Sequence, residues 1–390
     1  MTPELSFLFT YVAIWILICA AWWGFKGERF GVTGLPFYVV WRTTRLNNWI
    51  KRIAESSRTT WRIIWNLGVA TAFGLMIYIF YLLANNLLNL FVKPSQAVSI
   101  QPIIPLPGVG VSFETFPYLV LALSVVVITH ELSHGIASLV DKVPLKSTGA
   151  FFGHVLMGGF VEPDEEELSK SKKITKLRVF AAGSYTNVVL GVFFTFLLVS
   201  FPATIAPFYN VVQSGVTIGT IPVNLPAHSS GLQAGDVITS INGTTISGIS
   251  ALRNYMNSVR PGQLIVIGTV RGAFPIRTAP DPNNATHADI GIGGLTNYIV
   301  YQPKISFLSS GFPTILFHAE FWLSVVLVSV AMINMLPMYP FDGDKFLETG
   351  LNAIGIKRTK EIRTTANALA YSLLLLNMII SWHVLGWLRY

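Results

Sequence analysis

The sequence predicts an α-helical polytopic membrane protein of about six transmembrane helices with one soluble α+β insert. Three observations carry that fold class. Of 390 residues, 52% are hydrophobic and only 12% are charged, a balance foreign to soluble domains. The charges gather in loops between six apolar runs, each long enough to cross a hydrocarbon core of roughly 30 Å as a helix. Between the fourth and fifth runs lies a polar stretch, residues 202–311, with strand-like alternation and turn residues.

The apolar runs cover approximately residues 5–25, 68–90, 116–140, 179–201, 313–336 and 365–388. The first lacks Lys and Arg ahead of it and is expected to remain as a span rather than be cleaved as a signal peptide. The loop after it holds Lys26, Arg29, Arg42, Arg45, Lys51, Arg52, Arg58 and Arg62 against Glu28 and Glu55. Basic loops stay in the cytoplasm. Alternation then places residues 94–115 outside, 141–177 inside with Lys142, Lys146, Lys170, Lys172, Lys173 and Lys176, the insert outside, and 343–363 inside with Lys345, Lys357, Arg358, Lys360 and Arg363. Both termini are expected to be extracytoplasmic. The net charge of +8 is thus an orientation signal, and no nucleic-acid motif accompanies it. The single cysteine, Cys19, excludes an intrachain disulfide and a Cys-rich metal site.

The third run carries Thr129-His130-Glu131-Leu132-Ser133-His134-Gly135. Two histidines four residues apart stand one turn apart on one helix face, and Glu131 falls beside them. The bland reading is a pair of buried histidines with an incidental Glu. Against it, ionisable groups inside hydrocarbon are costly and mark function. A catalytic zinc needs a third protein ligand and an open position for water. His130 lies about 20 Å below the outer edge at about 1.5 Å per residue, in the cytoplasmic half. The fifth run ends in Asn334-Met335-Leu336-Pro337-Met338-Tyr339-Pro340-Phe341-Asp342-Gly343, which brings Asp342 to a similar level. Pro337 and Pro340 forbid a regular helix there, and broken backbone at that depth must be protein-buried or face a water-filled cavity. On spacing alone, Asp342 fits either a metal ligand or an Asp-Gly turn.

Residues 151–161, with Gly158 and Gly159, are apolar but too short to span, which fits a re-entrant hairpin between two inside-facing segments. Its edge would suit pairing with an extended substrate strand. His154 within it reads as a lone loop histidine. In the insert, Ser214-Gly215-Val216-Thr217-Ile218 alternates like a strand. The run Gly231-Leu232-Gln233-Ala234-Gly235-Asp236-Val237-Ile238-Thr239-Ser240-Ile241-Asn242-Gly243 ends in a hairpin-type Asn-Gly. Residues 250–259 read as a short amphipathic helix and 264–271 as a further strand.

The pairing of His130-Glu131-Leu132-Ser133-His134 with Asn334-x-x-Pro337-x-x-Pro340-Phe341-Asp342-Gly343 resembles the site-2 proteases, the intramembrane zinc metalloproteases of regulated intramembrane proteolysis. Gly158-Gly159-Phe160-Val161-Glu162-Pro163-Asp164-Glu165 is similar to that family's membrane-dipping β-loop. Ala181-Ala182-Gly183-Ser184-Tyr185-Thr186-Asn187 resembles its A-A-G-P-x-x-N segment, with Ser184 in place of the proline, and Pro107-Gly108-Val109-Gly110 is also familiar from the group. The resemblance implies one Zn2+ per chain on His130, His134 and Asp342, Glu131 as the catalytic base, and Asn187, Asn334, Gly158 and Gly159 in substrate binding. The insert resembles a bacterial-type PDZ domain, which implies a peptide groove along Gly215, Val216 and Ile218.

The domain organisation expected is residues 1–115 as two N-terminal helices with a basic cytoplasmic loop, 116–205 as the first part of a catalytic membrane core, 206–304 as a PDZ-like domain, and 305–390 as the second part of the core. The leading function is an enzyme that cleaves transmembrane segments of membrane-protein or peptide substrates in the cell membrane, with its active site toward the cytoplasm and the PDZ-like domain outside. A catalytically silent scaffold that binds partners through the PDZ domain is the alternative. A metal transporter ranks last, because the ionisable residues gather at one level instead of lining a path.

Overall fold

The computed structural model describes residues 3–25, 32–33, 38–103, 110–153, 156–282 and 284–386. His154, the stretch 107–109, Lys26, Glu28, Arg29 and the outermost residues of both termini lie outside the described residues. In chain order the elements begin with α1 (Pro3–Phe25), β1 (Val32–Thr33), β2 (Tyr38–Thr43), α2 (Arg45–Ser56), α3 (Arg58–Val92), α4 (Phe116–Val140), β3 (Leu145–Gly153), β4 (Leu156–Pro163), α5 (Glu165–Lys170) and α6 (Lys173–Val199). The β-rich stretch follows: α7 (Phe201–Ile205), β5 (Tyr209–Thr217), α8 (Pro226–Ser229), β6 (Val237–Ile241), β7 (Thr244–Thr245), α9 (Ile249–Met256), β8 (Leu264–Thr269), β9 (Gly272–Arg277), β10 (Ala279–Asp281), β11 (Asn284–Asp289) and β12 (Thr296–Pro303). The chain closes with α10 (Phe312–Asn334), α11 (Asp342–Ala353) and α12 (Thr359–Leu385). Two compact units result, Met1–Val199 with Phe317–Tyr390, and Ser200–Leu316.

Among the described residues of the helical unit, five helices are long and apolar enough to cross a membrane: α3, α4, α6, α10 and α12. The first apolar run forms α1, but its described apolar part, Val12–Gly24, is shorter. Helices also outrun the apolar segments that announce them: α3 begins at Arg58 and α6 at Lys173, because a polar turn in water continues the backbone hydrogen bonding of the buried part. Small residues set the close approaches. Ala137 of α4 and Ala182 of α6 are fully buried among Trp65, Ile136, Val140 and Val179, as expected where packing rather than water expulsion joins helices. At the end of α4, the buried Asp141 carboxylate accepts hydrogen bonds from Arg178 (2.8 Å), Arg62 (2.9 Å) and Thr175 (3.1 Å), which pins α3, α4 and α6 together.

The basic segment after α1 holds more structure than the loop expected of it. Tyr38-Val39-Val40-Trp41-Arg42-Thr43 pairs antiparallel with β3, Val40 opposite Phe151 and Trp41 opposite Ala150, and the sheet order is β1-β2-β3-β4. In α2, Ile50 and Ala54 are one turn apart and both buried. Leu46, Trp49, Ile50 and Ile53 recur at helical spacing, a signal that reading the segment as a charged loop passed over. The β3–β4 hairpin lies along α4. Gly158 abuts Val127, Gly159 lies beside Ile128, and Val161 packs where Gly135 leaves room; a Cβ on Gly135 would stand 2.7 Å from Val161 Cγ1.

In the β-rich unit, a sheet of order β12-β5-β6-β8-β9 buries Val216, Ile218, Ile238, Ile241, Ile265 and Ile267 against Leu252 of α9. At its C-terminal end, Val216 and Thr217, β5 is paired on both sides. It pairs with β6 on one side and on the other with β12, Tyr298 opposite Gly215, Asn297 opposite Val216 and Thr296 opposite Thr217. The peptide groove expected along Gly215, Val216 and Ile218 meets occupied backbone there: β12 takes the edge at Gly215 and Val216, and Val216 and Ile218 are fully buried in the core. Thr296-Asn297-Tyr298-Ile299-Val300-Tyr301 is rich in β-branched and aromatic residues, and its antiparallel return meets the backbone groups a peptide would need.

Asp236 of the Gly-Asp turn organises the same unit. It receives the Gln233 N–H (2.8 Å) and two prongs of Arg271 (2.7 Å each). The Arg271 hydrogen bonds, against the opposing effect of burial and with help from Gln233, hold its carboxyl below the ordinary carboxylate range. A carboxyl depressed on folding contributes stability above its unfolded pKa of about 3.9 that is lost as pH falls through the folded value. Asp236→Asn is expected to flatten the pH dependence of the unit's stability below about pH 4. Amide hydrogen exchange of β6 and β8 across an acid series checks this; an unchanged acid limb in the variant removes the role.

Candidate metal centre

Each member of the site is held by a different local device. His130 and His134 are buried one turn apart on α4. Asp342 is the first residue of α11. The chain leaves α10 at Asn334, cannot continue as helix through Pro337 and Pro340, and restarts with Asp342 and Asp344 in the first turn, where the helix dipole favours carboxylates. Gly343 is required at the turn, because a Cβ there would collide with the Leu336 carbonyl and Met335.

The donor atoms converge. His130 Nε2 lies 3.1 Å and His134 Nε2 3.2 Å from Asp342 Oδ2, and among the described residues these three form a group able to hold a metal ion, all ligand atoms within 4.8 Å of one another. Two ligands about 2.0 Å from one ion at tetrahedral angles stand about 3.3 Å apart, so the spacings fit. The tautomer fits as well. His134 Nδ1 lies 2.6 Å from the Val179 carbonyl, which can only accept, so Nδ1 carries a proton and Nε2 is the nitrogen left to face a metal.

Asn187 and Asn334 both touch His130. The Asn187 amide bridges Thr129 Oγ1 (3.2 Å) and His130 Nδ1 (3.2 Å), and Asn334 Nδ2 lies 3.3 Å from His130 Nε2. Glu131 stands outside the donor trio, its Oε2 accepting the Val161 N–H of β4 at 3.4 Å. Gly158 and Gly159 lie against Val127 and Ile128 of α4, alongside the site rather than within the trio. A cavity of about 900 Å³ opens onto His130, Glu131, His134, Asn334 and Asp342 and extends past Phe160 to Lys146, Lys176 and Lys345. The first turns of α10 contribute nothing to it: His318 stacks on Tyr118 at 5.4 Å, and Glu320 is buried with one carboxylate oxygen unpartnered.

Sequence reasoning missed Gly183 as a site residue. It stands beneath the His130 ring, and a Cβ there would come within 2.5–2.6 Å of three ring atoms. A small residue four before a buried polar one, Asn187, on a helix packed against the two histidines was the available signal.

A helical membrane core holding two imidazoles, a carboxylate and an adjacent glutamate in one cavity defines the metallopeptidase class of site. The model of peptidase family M50 matches residues 118–379, and the chain belongs to that family. It is 28% identical over 140 residues to a membrane-bound transcription factor site-2 protease homolog of Arabidopsis thaliana, covering 36% of this chain and 27% of that protein. It is 26% identical over 218 residues to the chloroplastic membrane metalloprotease ARASP of the same plant, covering 46% and 47%. The chain thus spans less than half the length of either relative. A solved PDZ domain of an SdrC-like protein from Listeria monocytogenes is 26% identical over 21% of this chain and 90% of its own, with a TM-score of 0.20.

Proposed function

We propose that this chain is an intramembrane zinc endopeptidase that cleaves transmembrane segments of membrane proteins. The convergence of His130, His134 and Asp342 from two distant stretches of chain, with Glu131 beside them in the cavity, carries the reading. Zinc held there would supply a Lewis acid and a water whose pKa falls toward about 7. Glu131 accepts the proton of the attacking water at a carboxylate oxygen and returns it to the leaving nitrogen. Asn187 and the Val179 carbonyl keep the two imidazole rings in register.

The β4 edge nearest Glu131 suits an unwound substrate, since the Val161 N–H already reaches the catalytic carboxylate. The hairpin's contacts with Val127 and Ile128, 12–13 residues before the end of α4 at Val140, place it about 20 Å along that helix, which supports a re-entrant β-loop. With α1 counted as a span, the sixfold organisation and outward termini follow. The cavity's rim of Lys146, Lys176 and Lys345 supports access from the cytoplasm, and the β-rich unit is assigned to the other side as a PDZ-like screen. Peptide capture on β5 would first require β12 to leave it. The silent-scaffold alternative is disfavoured by a base and three donors arranged for chemistry.

The test is metal dependence. Purified protein reconstituted with a membrane-tethered substrate is expected to hold about one zinc per chain, to lose cleavage on chelation and to regain it with zinc. Full cleavage by metal-free protein excludes the reading.

A further inference from the structure

Asp342 opens the first turn of α11 directly after the break that follows α10, and such a segment needs outside support to present one oxygen to two imidazoles. The helix α12 supplies it through Arg363, Asn367 and Tyr371, spaced four apart on one face. Arg363 grips Asp344 with two nitrogens, Nε to Oδ1 at 2.7 Å and Nη2 to Oδ2 at 2.5 Å, and reaches Glu348 with the third at 2.8 Å. Asn367 donates to Asp344 Oδ1 (2.8 Å) and accepts the Tyr339 N–H (3.0 Å). The Tyr371 hydroxyl donates to the Tyr339 carbonyl.

Tyr339, three residues before Asp342, and Asp344, two residues after it, are thereby fastened to the same helix face. Asp344 is 1% exposed, so its charge depends on that fork: an uncompensated buried carboxylate would force the turn open. Asp344 does not join the donor trio, which leaves its attachment to α12 as its task.

We propose that Arg363 and Asn367 are positioning residues that set Asp342 against His130 and His134, so that α12 completes the metal centre without giving it a ligand. This rests on the metal-binding reading above. Residues that orient ligands typically change metal affinity about 10–100-fold when removed.

The full chain is purified, and its zinc affinity is measured by competition with a chromophoric chelator, alongside its thermal unfolding midpoint. Asn367→Ala is expected to weaken zinc binding about 10–100-fold, and Arg363→Lys, which keeps the charge but loses the fork, to fall between it and wild type. Asn377→Ala is the control on the same helix. Asn377 is buried and bonded to Asn86 (3.0 Å) and the Leu83 carbonyl (2.9 Å), so its loss is expected to lower the midpoint and leave zinc affinity unchanged. Tyr371→Phe, which removes one hydroxyl, serves should Asn367→Ala fail to fold. Wild-type zinc affinity in the Asn367 and Arg363 variants overturns the proposal, as does an equal loss in Asn377→Ala. If His134→Ala binds zinc as tightly as wild type, the metal-binding reading falls and this proposal with it; if only His134→Ala loses zinc, that reading stands and the positioning role alone is lost.

Discussion

Glu131→Gln is expected to abolish cleavage while the chain keeps its zinc. Glu131 is the cavity's ionisable side chain next to the donor trio that is not itself a member of it. Glutamine has the same shape and still offers an oxygen to the Val161 N–H, now met at 3.4 Å, so the hairpin keeps its contact with α4. What disappears is the capacity to take a proton. General acid–base catalysis contributes about 10²–10⁴-fold, and a group asked to serve both the attacking water and the leaving nitrogen sits at the upper end of that range. Zinc content and turnover of a reconstituted membrane-tethered substrate are measured on the same preparation. Zinc retained with turnover cut by about 10³ or more supports the assignment. Turnover within a few fold of wild type shows that another group moves the proton.

The parts of this site that were legible in the sequence are those whose chemistry is local. His130, Glu131 and His134 share one helix, so a four-residue spacing alone places both imidazoles on one face. Asp342 was legible more weakly, because a broken helix after Pro337 and Pro340 explains an Asp-Gly turn as readily as a ligand; convergence with α4 is a tertiary fact. The supports were not legible. Gly183 looks like any small residue of a packed helix until the His130 ring is found above it. Arg363, Asn367 and Tyr371 read as the polar entry to an apolar span, and only the fold shows them holding the loop around Asp342. Strand pairing was likewise hidden. β2 lies in a segment dominated by its Lys and Arg. The groove expected along β5 follows from the PDZ resemblance, whereas its occupation by β12 depends on residues about eighty positions further along. Local periodicity specifies which residues face a core; it does not specify which strand edge remains open.

Gly183→Ala is the second large effect, and it tests whether the site tolerates any displacement of a ligand. The added methyl carbon would lie 2.5 Å from His130 Cε1 and 2.6 Å from Nδ1 and Nε2, inside any contact that packed atoms sustain. The ring has nowhere to go. Its far sides meet Asn187 at 3.2 Å, Asn334 at 3.3 Å and Asp342 at 3.1 Å. Nor do the helices separate cheaply, because Ala137 and Ala182 are fully buried where α4 and α6 meet. Overpacking of this kind costs about 1–3 kcal/mol, and here the strain is relieved most directly by turning His130 out of register with His134 and Asp342. Zinc affinity is therefore expected to fall at least about tenfold, with cleavage falling alongside, since roughly 1.4 kcal/mol lost from one ligand is already that factor. Gly68→Ala provides the comparison: its Cβ would meet Tyr185 Cγ at 3.1 Å and Cβ at 3.3 Å, tight contacts on the other face of α6 that a shift of a few tenths of an ångström between α3 and α6 relieves away from the His130 ring. That variant is expected to keep wild-type zinc affinity. A chelator-competition titration that finds both variants equal to wild type means that His130 holds its place without the room Gly183 leaves, and that the geometry of the trio is looser than the packing around it requires.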